Sequence, residues 1–383
     1  MKGEKLMVKK GSYGWPEKFG VIGWSGVGEH IYKSWTSPLA QDTGMKIRIA
    51  NTVDSVQRFK YTKIGLFDIT AAGTTETSQL LEGDRRYGYR DTGPFQIRAV
   101  WVQSKTNSGY VTRGDSAIKD INDIKPGVRV VDMRSYMASQ RILEAFLVWN
   151  GHIKDVEKDV VWIPSTSLEH KAKLIANGEA DVAFAIPSAP PTYEAEKNPH
   201  GLRWIETRED KDPEGAKRFR SVDSLISFGP MFNGVPSCVG KWGCVGTSLY
   251  CTREDVDADF IYHLAKWLDE NWHKYNYRHS WNQYMVRDNL MAELSRTFIP
   301  CHEGLIKYLK ELGLWTQAHE RRQKKNVDLV TRYCKANAEA IESADEKKVF
   351  VSAKNSEWVE FWENYKKELG LPKFKMFRSL EED

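Results

Sequence analysis

Small polar side chains occur where predicted strands run into predicted helices. Hydroxyl and amide groups make up most of the set, together with one arginine: Asn51, Thr52, Ser55, Thr74, Thr75, Arg134, Ser135, Ser139 and Ser188. In open α/β sheets, ligands bind outside the carboxyl ends of the strands. These turns therefore converge on one cleft if two halves of the chain face one another. Hydroxyls and backbone N–H groups at such turns suit a small anionic or polar ligand.

Arg134 carries the most specific chemistry in this set. It lies between a predicted buried strand and the start of a predicted helix. There, a guanidinium group can hold a carboxylate through two parallel hydrogen bonds. The alternative is a surface arginine that pairs with a neighbouring glutamate, and the sequence leaves both interpretations open.

A glycine-rich turn with Gly23, Gly26 and Gly28 follows the first predicted strand. It lacks the full G-x-G-x-x-G order, and no Gly-Lys-Ser/Thr closes a phosphate loop, which argues against a nucleotide site. A turn that receives an anion at a helix start fits better, with a plain tight turn as the alternative. His30, at the start of that helix, is expected either to bond the ligand or to face solvent.

Recognisable catalytic motifs are missing from the sequence. G-x-S-x-G, H-E-x-x-H and paired-cysteine patterns do not occur. Cys301 and His302 are adjacent, but neighbours in sequence point apart, so structural roles are expected. We therefore predict a protein that is not an enzyme and has neither cofactor nor metal. Among the five cysteines, Cys238 and Cys244 could form a local disulfide in an oxidising compartment.

Hydrophobic periodicity predicts the elements that position these residues. In the first part of the chain they are a short strand at Val21–Ile22, a helix from His30, a strand at Lys46–Ala50, a helix capped by Asp54, and a strand at Asp68–Ala72. Further along they are strands at Ile97–Gln103, Ser108–Thr112, Val128–Asp132, Val160–Ile163, Asp181–Ile186 and Gly246–Thr252, with helices at Tyr136–Trp149, Leu168–Asn177 (ended by Gly178) and from Val256. This alternation predicts a mainly parallel sheet with helices on its faces.

The same pattern predicts the domain organisation, an α/β fold with two lobes and extra C-terminal helices. Residues 18–103 and 206–317 are assigned to lobe 1, residues 104–205 to lobe 2, and residues 318–383 to a helical extension. Two strands that cross between the lobes would form the hinge. Near the C-terminus, Trp358, Phe361, Trp362 and Tyr365 form one apolar stripe. That stripe is expected to pack on its own chain, with self-association or a partner surface as the alternative.

The amino-acid composition of the chain limits the kinds of partner that it can bind. The 383 residues include 56 basic and 52 acidic side chains, for a net charge of +4, which is too mild a balance to indicate nucleic-acid binding. No apolar stretch reaches the roughly 18 residues that cross a bilayer. The basic N-terminus is not followed by an apolar run. We therefore expect a periplasmic or extracytoplasmic protein if a signal peptide was removed, and a cytoplasmic one otherwise.

Ordered blocks over about residues 18–315 resemble the TAXI family of extracytoplasmic solute receptors, which serve TRAP-type secondary transporters. The blocks are IGWSGVGEHIY, NTVDSVQRF, TRGDSAIKDINDIKPGVRVVDM, STSLEHKAKLIANGEADVAFAIPSAPP, VGTSLYCTREDVDADFIYHLAKWLDEN and IPCHEGLIKYLKELGLW. The resemblance implies the type II periplasmic-binding-protein fold, with two lobes, a hinge and one ligand between them. It also implies a carboxylate ligand such as glutamate or 2-oxoglutarate, and the membrane permease subunits of a TRAP transporter as partners.

The positions that bind ligand in this family can be matched one by one to this sequence. The resemblance implies ligand-facing positions at His30, Tyr32, Thr52, Ser55 and Ser135. Two departures stand out: Glu29 and His30 replace small residues, and the stretch 133–137 replaces a glycine-rich loop. Together with nearby aromatic residues, these departures favour an aromatic or bulkier carboxylate. The full set of predicted ligand-binding residues is Trp24, Ser25, His30, Tyr32, Thr52, Ser55, Thr74, Thr75, Arg134, Ser135, Tyr136, Ser139, Ser188 and Trp242.

The leading hypothesis is a receptor that closes around a small carboxylate for delivery to a permease. The alternative is a cytosolic ligand-binding sensor or accessory subunit that reuses the same fold without a transporter. The C-terminal helices, beyond the family pattern, leave oligomerisation open.

Overall fold

Short apolar strands alternate with amphipathic helices to build two α/β lobes, each with its own apolar core. The computed structural model describes residues 13–25 and 29–382. The strands are β1 Lys18–Trp24, β2 Lys46–Thr52, β3 Ile69–Gly73, β4 Ile97–Arg113, β5 Val128–Val131, β6 Val160–Ile163, β7 Ala183–Ala185, β8 Leu202–Ile205, β9 Ser227–Pro230 and β10 Trp242–Arg253. The helices are α1 His30–Thr43, α2 Ser55–Lys63, α3 Thr74–Glu82, α4 Met137–Leu147, α5 Val156–Asp159, α6 Leu168–Ala176, α7 Pro190–Glu196, α8 Pro213–Val222, α9 Ala258–Glu270, α10 Arg287–Leu294, α11 Glu303–Glu311, α12 Gln317–Glu346 and α13 Ser356–Glu368.

Lobe 1 is built around β1, which pairs in parallel with β2 on one side and with β3 on the other. Helices α1, α2 and α3 follow these strands, as the strand–helix alternation predicted. Asp54 caps α2 as predicted, because its carboxylate accepts the N–H of Val56 at 3.0 Å. Each of these turns therefore presents a helix start at the carboxyl edge of the sheet.

Two long strands connect the lobes. β4 pairs antiparallel with β10 in lobe 1, and its last residues pair with β7 and β8 in lobe 2. β10 runs the opposite way, from its pairing with β9 in lobe 2 to its pairing with β3 in lobe 1. The predicted pair of crossing strands is therefore present, and the middle of both strands lies between the lobes.

Lobe 2 packs α4, α6, α7 and α8 around β5 to β9. Phe219 of α8 lies in the same core as Phe146 of α4, so residues after 205 also pack with this lobe. The boundaries given above for the lobes remain predictions. Gly178 follows α6 with φ +74°, the left-handed conformation that glycine adopts readily, as expected for a residue that ends a helix.

The C-terminal helices pack on lobe 1. Trp358 and Trp362 of α13 are 1% and 2% exposed. Their indole N–H groups donate to the carbonyl oxygens of Gly88 and Glu82 at 2.7 and 2.9 Å. The expectation that this apolar stripe covers its own chain is confirmed. Partner binding through the outer faces of α12 and α13 stays a prediction.

Three sequence-based expectations differ from the structure. The two strands predicted at 97–103 and 108–112 form the single strand β4, because the polar residues between them continue the pairing with β10. The sheet is mixed, since β10 is antiparallel to both β3 and β4. Cys238 and Cys244 are free and buried, so the local disulfide considered above is not formed.

Candidate functional site

A cavity of about 210 Å³ lies between the two lobes. Lobe 1 contributes the end of β1 and the starts of α2 and α3, and lobe 2 contributes the start of α4 together with β7. The middle segments of β4 and β10, at 106–108 and 244–248, form the wall of the cavity between the two lobes. The cavity therefore lies beside the hinge strands, where relative movement of the lobes changes its shape.

Trp24 forms an aromatic wall on the lobe 1 side. Its backbone N–H donates to the hydroxyl of Tyr32 at 2.8 Å, and its indole N–H donates to Glu76 at 3.3 Å. Gly23 is required beside it, because a Cβ atom there would lie 1.9 Å from the Tyr32 ring. Trp281 meets Trp24 edge to face at 6.5 Å between ring centroids. The two indoles thus form a fixed corner, which suits a flat apolar group.

A buried ion pair supports this wall. The Arg58 guanidinium lies 2.6 Å from the Glu76 carboxylate, and both side chains are almost fully buried. Arg58 also donates to the carbonyl oxygen of Ala71 at 3.1 Å and lies 5.2 Å from the Trp24 ring centroid. Glu76 accepts the N–H of Gly73 at 2.8 Å. Glu76 lines the cavity, and Arg58 balances its charge.

The first turn of α3 brings Thr74 and Thr75 to the cavity. Gly73 precedes the helix and has no side chain, so it cannot accept the unpaired N–H groups of that turn. The Thr75 hydroxyl donates to Asp223 at 3.1 Å, a residue that follows α8 of lobe 2. Burial raises the pKa of Asp223, opposed by Arg141, whose guanidinium lies 3.7 Å away.

The lobe 2 side combines a second helix start with an apolar surface. Tyr136 and Ser139 line the cavity at the start of α4, whose N-cap residue, Tyr136, makes no side-chain capping hydrogen bond. The remaining lining on this side is apolar, namely Met133, Met137, Ala138, Ile142, Phe184, Ile186, Leu225 and Ile226. Helix N-termini from both lobes, those of α2 and α3 and that of α4, therefore lie at the same cavity, and each favours a negatively charged or hydrogen-bond-accepting group.

Polar contacts close the lobes against each other around the cavity. Arg85, just after α3, pairs with Glu144 of α4 at 2.5 Å. Ser188 of lobe 2 accepts the indole N–H of Trp281 at 3.4 Å. Arg85 has φ +50°, a conformation that a non-glycine residue rarely adopts. These bonds connect the segments that carry the cavity walls, so they stabilise the closed arrangement.

Some of the predicted site residues meet at this cavity and others do not. Those that line it are Trp24, Ser55, Thr74, Thr75, Tyr136 and Ser139. Ser188 lies at its edge through the bond to Trp281. The end of β1 and the turns after β2, β3 and β5 thus contribute predicted residues to one cavity.

Arg134 does not line the cavity. Its exposed guanidinium lies 3.1 Å from Glu157 and 3.5 Å from Asp132. This is the surface pairing given above as the alternative to a ligand contact. The physical reason is local, because the loop at 133–136 turns Met133 and Tyr136 toward the cavity and leaves Arg134 and Ser135 exposed.

The other predicted residues have different surroundings. Tyr32 is fully buried and supports Trp24. Thr52 accepts the N–H of Asp54 at 3.1 Å, which shapes the turn before α2. Trp242 lies on β10 with its ring centroid 4.9 Å from the Arg208 guanidinium. His30 is exposed, and Ser25 is partly buried next to residues 26–28. Gly26 and Gly28 of the predicted glycine-rich turn lie outside the described residues.

Sequence reasoning missed Arg58, Glu76, Asp223 and Trp281. Arg58 and Glu76 lie in the first turns of helices that were predicted, where a buried charge signals a specific partner. Nothing local marks Asp223 or Trp281, whose roles depend on contacts between distant segments.

The surroundings of the Cys301 and His302 side chains and the grouping of possible metal ligands can be described for the residues that the structure covers. No group of three or more His, Cys, Asp or Glu side chains there could hold a metal ion. Cys301 is buried, and His302 caps α11 by accepting the N–H of Gly304 at 3.2 Å. The structural roles expected for this adjacent pair are confirmed. No helix among the described residues is long and apolar enough to cross a membrane.

The topology and the cavity define a two-lobed α/β protein in which two long strands cross between the lobes and a cavity lies beside them. Residues 245–313 match the model of the NMT1-like family, which covers less than half of the chain. No relative was found among curated proteins. Several solved structures are similar at low identity. The periplasmic aliphatic sulphonate binding protein of Escherichia coli shows 14% identity and a TM-score of 0.44, over 83% of this chain and 87% of that one. A binding protein component of a phosphonate ABC transporter from Pseudomonas aeruginosa shows 11% identity and a TM-score of 0.44, over 86% of this chain and 99% of that one.

Proposed function

We propose that this protein is a solute receptor that captures a small organic acid between its lobes and delivers it to a membrane permease. The observation that carries the proposal is the cavity of about 210 Å³ into which helix starts from both lobes point. The carboxylate ligand and the TRAP-type permease come from the TAXI resemblance. The proposal assigns no catalytic step to the chain.

The ligand's carboxylate would be held by the starts of α3 and α4. Thr74 and Ser139, one from each lobe, line the cavity. Within the described residues their hydroxyl groups make no hydrogen bond. Unpaired N–H groups of both first turns add further donors. An anion can be bound in this way without direct contact to a cationic side chain.

The body of the ligand would rest on the aromatic corner of Trp24 and Trp281. An apolar cavity of about 150 Å³ is large enough for benzene, so this one has room for a ring with a short acidic arm. This supports the aromatic or bulkier carboxylate that the sequence favoured. Tyr136 and the apolar residues of lobe 2 would cover the other face.

Binding would favour the closed arrangement, because one ligand would contact both lobes. The existing cross-lobe bonds, such as that between Arg85 and Glu144, would act in the same direction. An occupied cavity would therefore present a different surface to the permease from an empty one.

Thermal unfolding with a panel of aliphatic and aromatic carboxylates tests the proposal. A ligand present at 100 times its Kd stabilises the folded state by about 2.7 kcal/mol. Thr74→Val and Ser139→Ala are each expected to weaken binding about fivefold, the value of one neutral hydrogen bond. Arg134→Ala is the control, because its guanidinium pairs outside the cavity. The proposal fails if no acid raises the unfolding temperature, or if only the Arg134 variant loses binding.

A further inference from the structure

Lys171 is a buried lysine next to the proposed ligand cavity. It lies on α6 and is 7% exposed. Its ammonium group is 5.8 Å from the centroid of the Phe184 ring. Phe184 and Ile186 line both the small void beside Lys171 and the cavity between the lobes. A single layer of side chains thus separates the ammonium group from the ligand site.

The Lys171 ammonium group has no acceptor within the described part of the chain. The void beside it is lined by apolar residues of β4, β7, α7 and β8, and none of the side chains that face it from these elements is titratable. Thr192, the polar residue among them, donates its hydroxyl to the carbonyl oxygen of Ile186 at 2.8 Å. Burial alone lowers the pKa of Lys171 to about 8. At neutral pH it therefore carries a charge that no acidic side chain among the described residues compensates, in an apolar surrounding.

The arginines around the cavity differ from Lys171 because each has a carboxylate partner. The pairs are Arg58 with Glu76, Arg85 with Glu144, Arg141 with Asp84 and Asp223, and Arg134 with Asp132 and Glu157. The four arginines thus meet six carboxylates, and none of these guanidinium groups is left without a counter-charge. Lys171 differs from them in having no carboxylate beside it among the described residues, so no adjacent group cancels its field at the cavity.

We propose that Lys171 sets the charge selectivity of the cavity, favouring a monoanionic ligand by acting through the Phe184 ring without contacting the ligand. The inference rests on the proposed function, since it concerns the ligand of the same cavity. The ligand class it defines is a monocarboxylate with an apolar, ring-bearing body. A dicarboxylate would bring a second negative charge to a cavity whose surrounding arginines are already paired with carboxylates.

The size of the effect follows from distance. The part of the ligand that packs on the far face of the Phe184 ring lies roughly 10 Å from the ammonium group, and the carboxylate at the starts of α3 and α4 lies at about that distance or beyond. At an effective dielectric constant of about 20, one charge at that distance changes the affinity for a monoanion on the order of tenfold. The affinity for an uncharged analogue should not change.

Matched acid and amide pairs separate this effect from general binding. Calorimetric titrations would use phenylacetate with phenylacetamide, and indole-3-acetate with indole-3-acetamide, on the wild-type chain. Lys171→Met is expected to weaken binding of the acids about tenfold and to leave the amides unchanged. Lys173→Met is the control, because it removes the same charge from an exposed position on the same helix. The Met side chain suits the apolar void, so the variant should fold.

Dependence on pH provides a second readout. Anion binding favours the charged form, so it raises the pKa of Lys171 and takes up a proton. Affinity for the acids should be full below about pH 8 and fall as the pH rises above it, whereas the Lys171→Met variant should show no such fall. The carboxylates themselves stay ionised throughout.

The outcomes distinguish the inference from the proposed function. Equal losses for acids and amides, unchanged acid binding in Lys171→Met, or a loss in Lys173→Met as large as in Lys171→Met would overturn the role of Lys171 and leave the receptor intact. Tighter binding of succinate than of both monocarboxylates would overturn the ligand class. If no acid and no amide binds, the proposed function fails, and the inference fails with it.

Discussion

Replacing Lys171 with methionine should stabilise the unliganded protein. The ammonium group is buried and meets no hydrogen-bond acceptor among the described residues, and burial lowers its pKa from the ordinary 10.5 to about 8. Each pKa unit corresponds to 1.36 kcal/mol, so the charged form destabilises the fold by about 3 kcal/mol at pH 7. Methionine removes this charge and keeps the apolar volume, so the variant should gain most of that amount.

The sign of the pH dependence is fixed by the same shift. Because the folded state holds this proton less tightly than the unfolded state does, wild-type stability rises with pH between about 8 and 10.5. The stability advantage of Lys171→Met should therefore shrink by about 2 kcal/mol between pH 7 and pH 9.5. Taking the difference between the two proteins cancels the titration of all other groups.

Urea unfolding of both proteins at the two pH values provides the measurement. The unfolding free energy of the variant should exceed that of the wild type by about 3 kcal/mol at pH 7. The reasoning would be wrong if the difference in unfolding free energy between the two proteins stayed constant with pH. It would also be wrong if the variant were less stable than the wild type at pH 7. Either result would show that the ammonium group is solvated or paired.

Three further substitutions test other parts of the structure. Trp358→Ala should lower the unfolding free energy by about 3–5 kcal/mol, because it leaves a cavity between α13 and lobe 1; urea unfolding measures this. Arg58→Met should lower the unfolding free energy by about 3–5 kcal/mol in the same assay, because it leaves the Glu76 carboxylate buried without its partner. Arg85→Ala removes a partly exposed bridge to Glu144, so it should weaken acid binding about fivefold by favouring the open arrangement, as measured by calorimetry.

Each of these predictions has a control. Val359 lies on the same helix as Trp358 but is exposed. If Val359→Ala lowered the unfolding free energy as much as Trp358→Ala, the packing argument would be contradicted. Combining Arg58→Met with Glu76→Gln should restore part of the stability, and no restoration would argue against the ion pair. Arg90→Ala breaks an exposed pair with Asp345 away from the cavity and should leave binding unchanged.

Much of the fold could be predicted because its signals are local. The alternation of apolar residues located most strands and helices to within a few residues. The cap at Asp54 and the left-handed Gly178 depend only on neighbouring backbone atoms. The order of strands and helices then indicated two lobes joined by crossing strands. The single strand β4 was missed because its pairing partner lies more than 130 residues away in sequence.

The candidate site was predicted only in part. The turns that carry Ser55, Thr74 and Ser139 reach the cavity, because strand ends and helix starts must meet at one edge of a sheet. Which side chain of a turn faces inward depends on the loop conformation. For that reason the prediction named Arg134, Ser135 and Tyr136 of one loop, of which Tyr136 lines the cavity, together with Met133, which was not named.

The sequence by itself therefore determined the two α/β lobes, the position of each polar turn and the chemistry that these turns can offer. Tertiary structure alone decided which charges are balanced. Arg58 meets Glu76, Arg134 meets Glu157, and Lys171 meets no acceptor among the described residues. The physical reason is that helix and strand signals arise from near neighbours, whereas the energy of a charge depends on every group that packing brings around it.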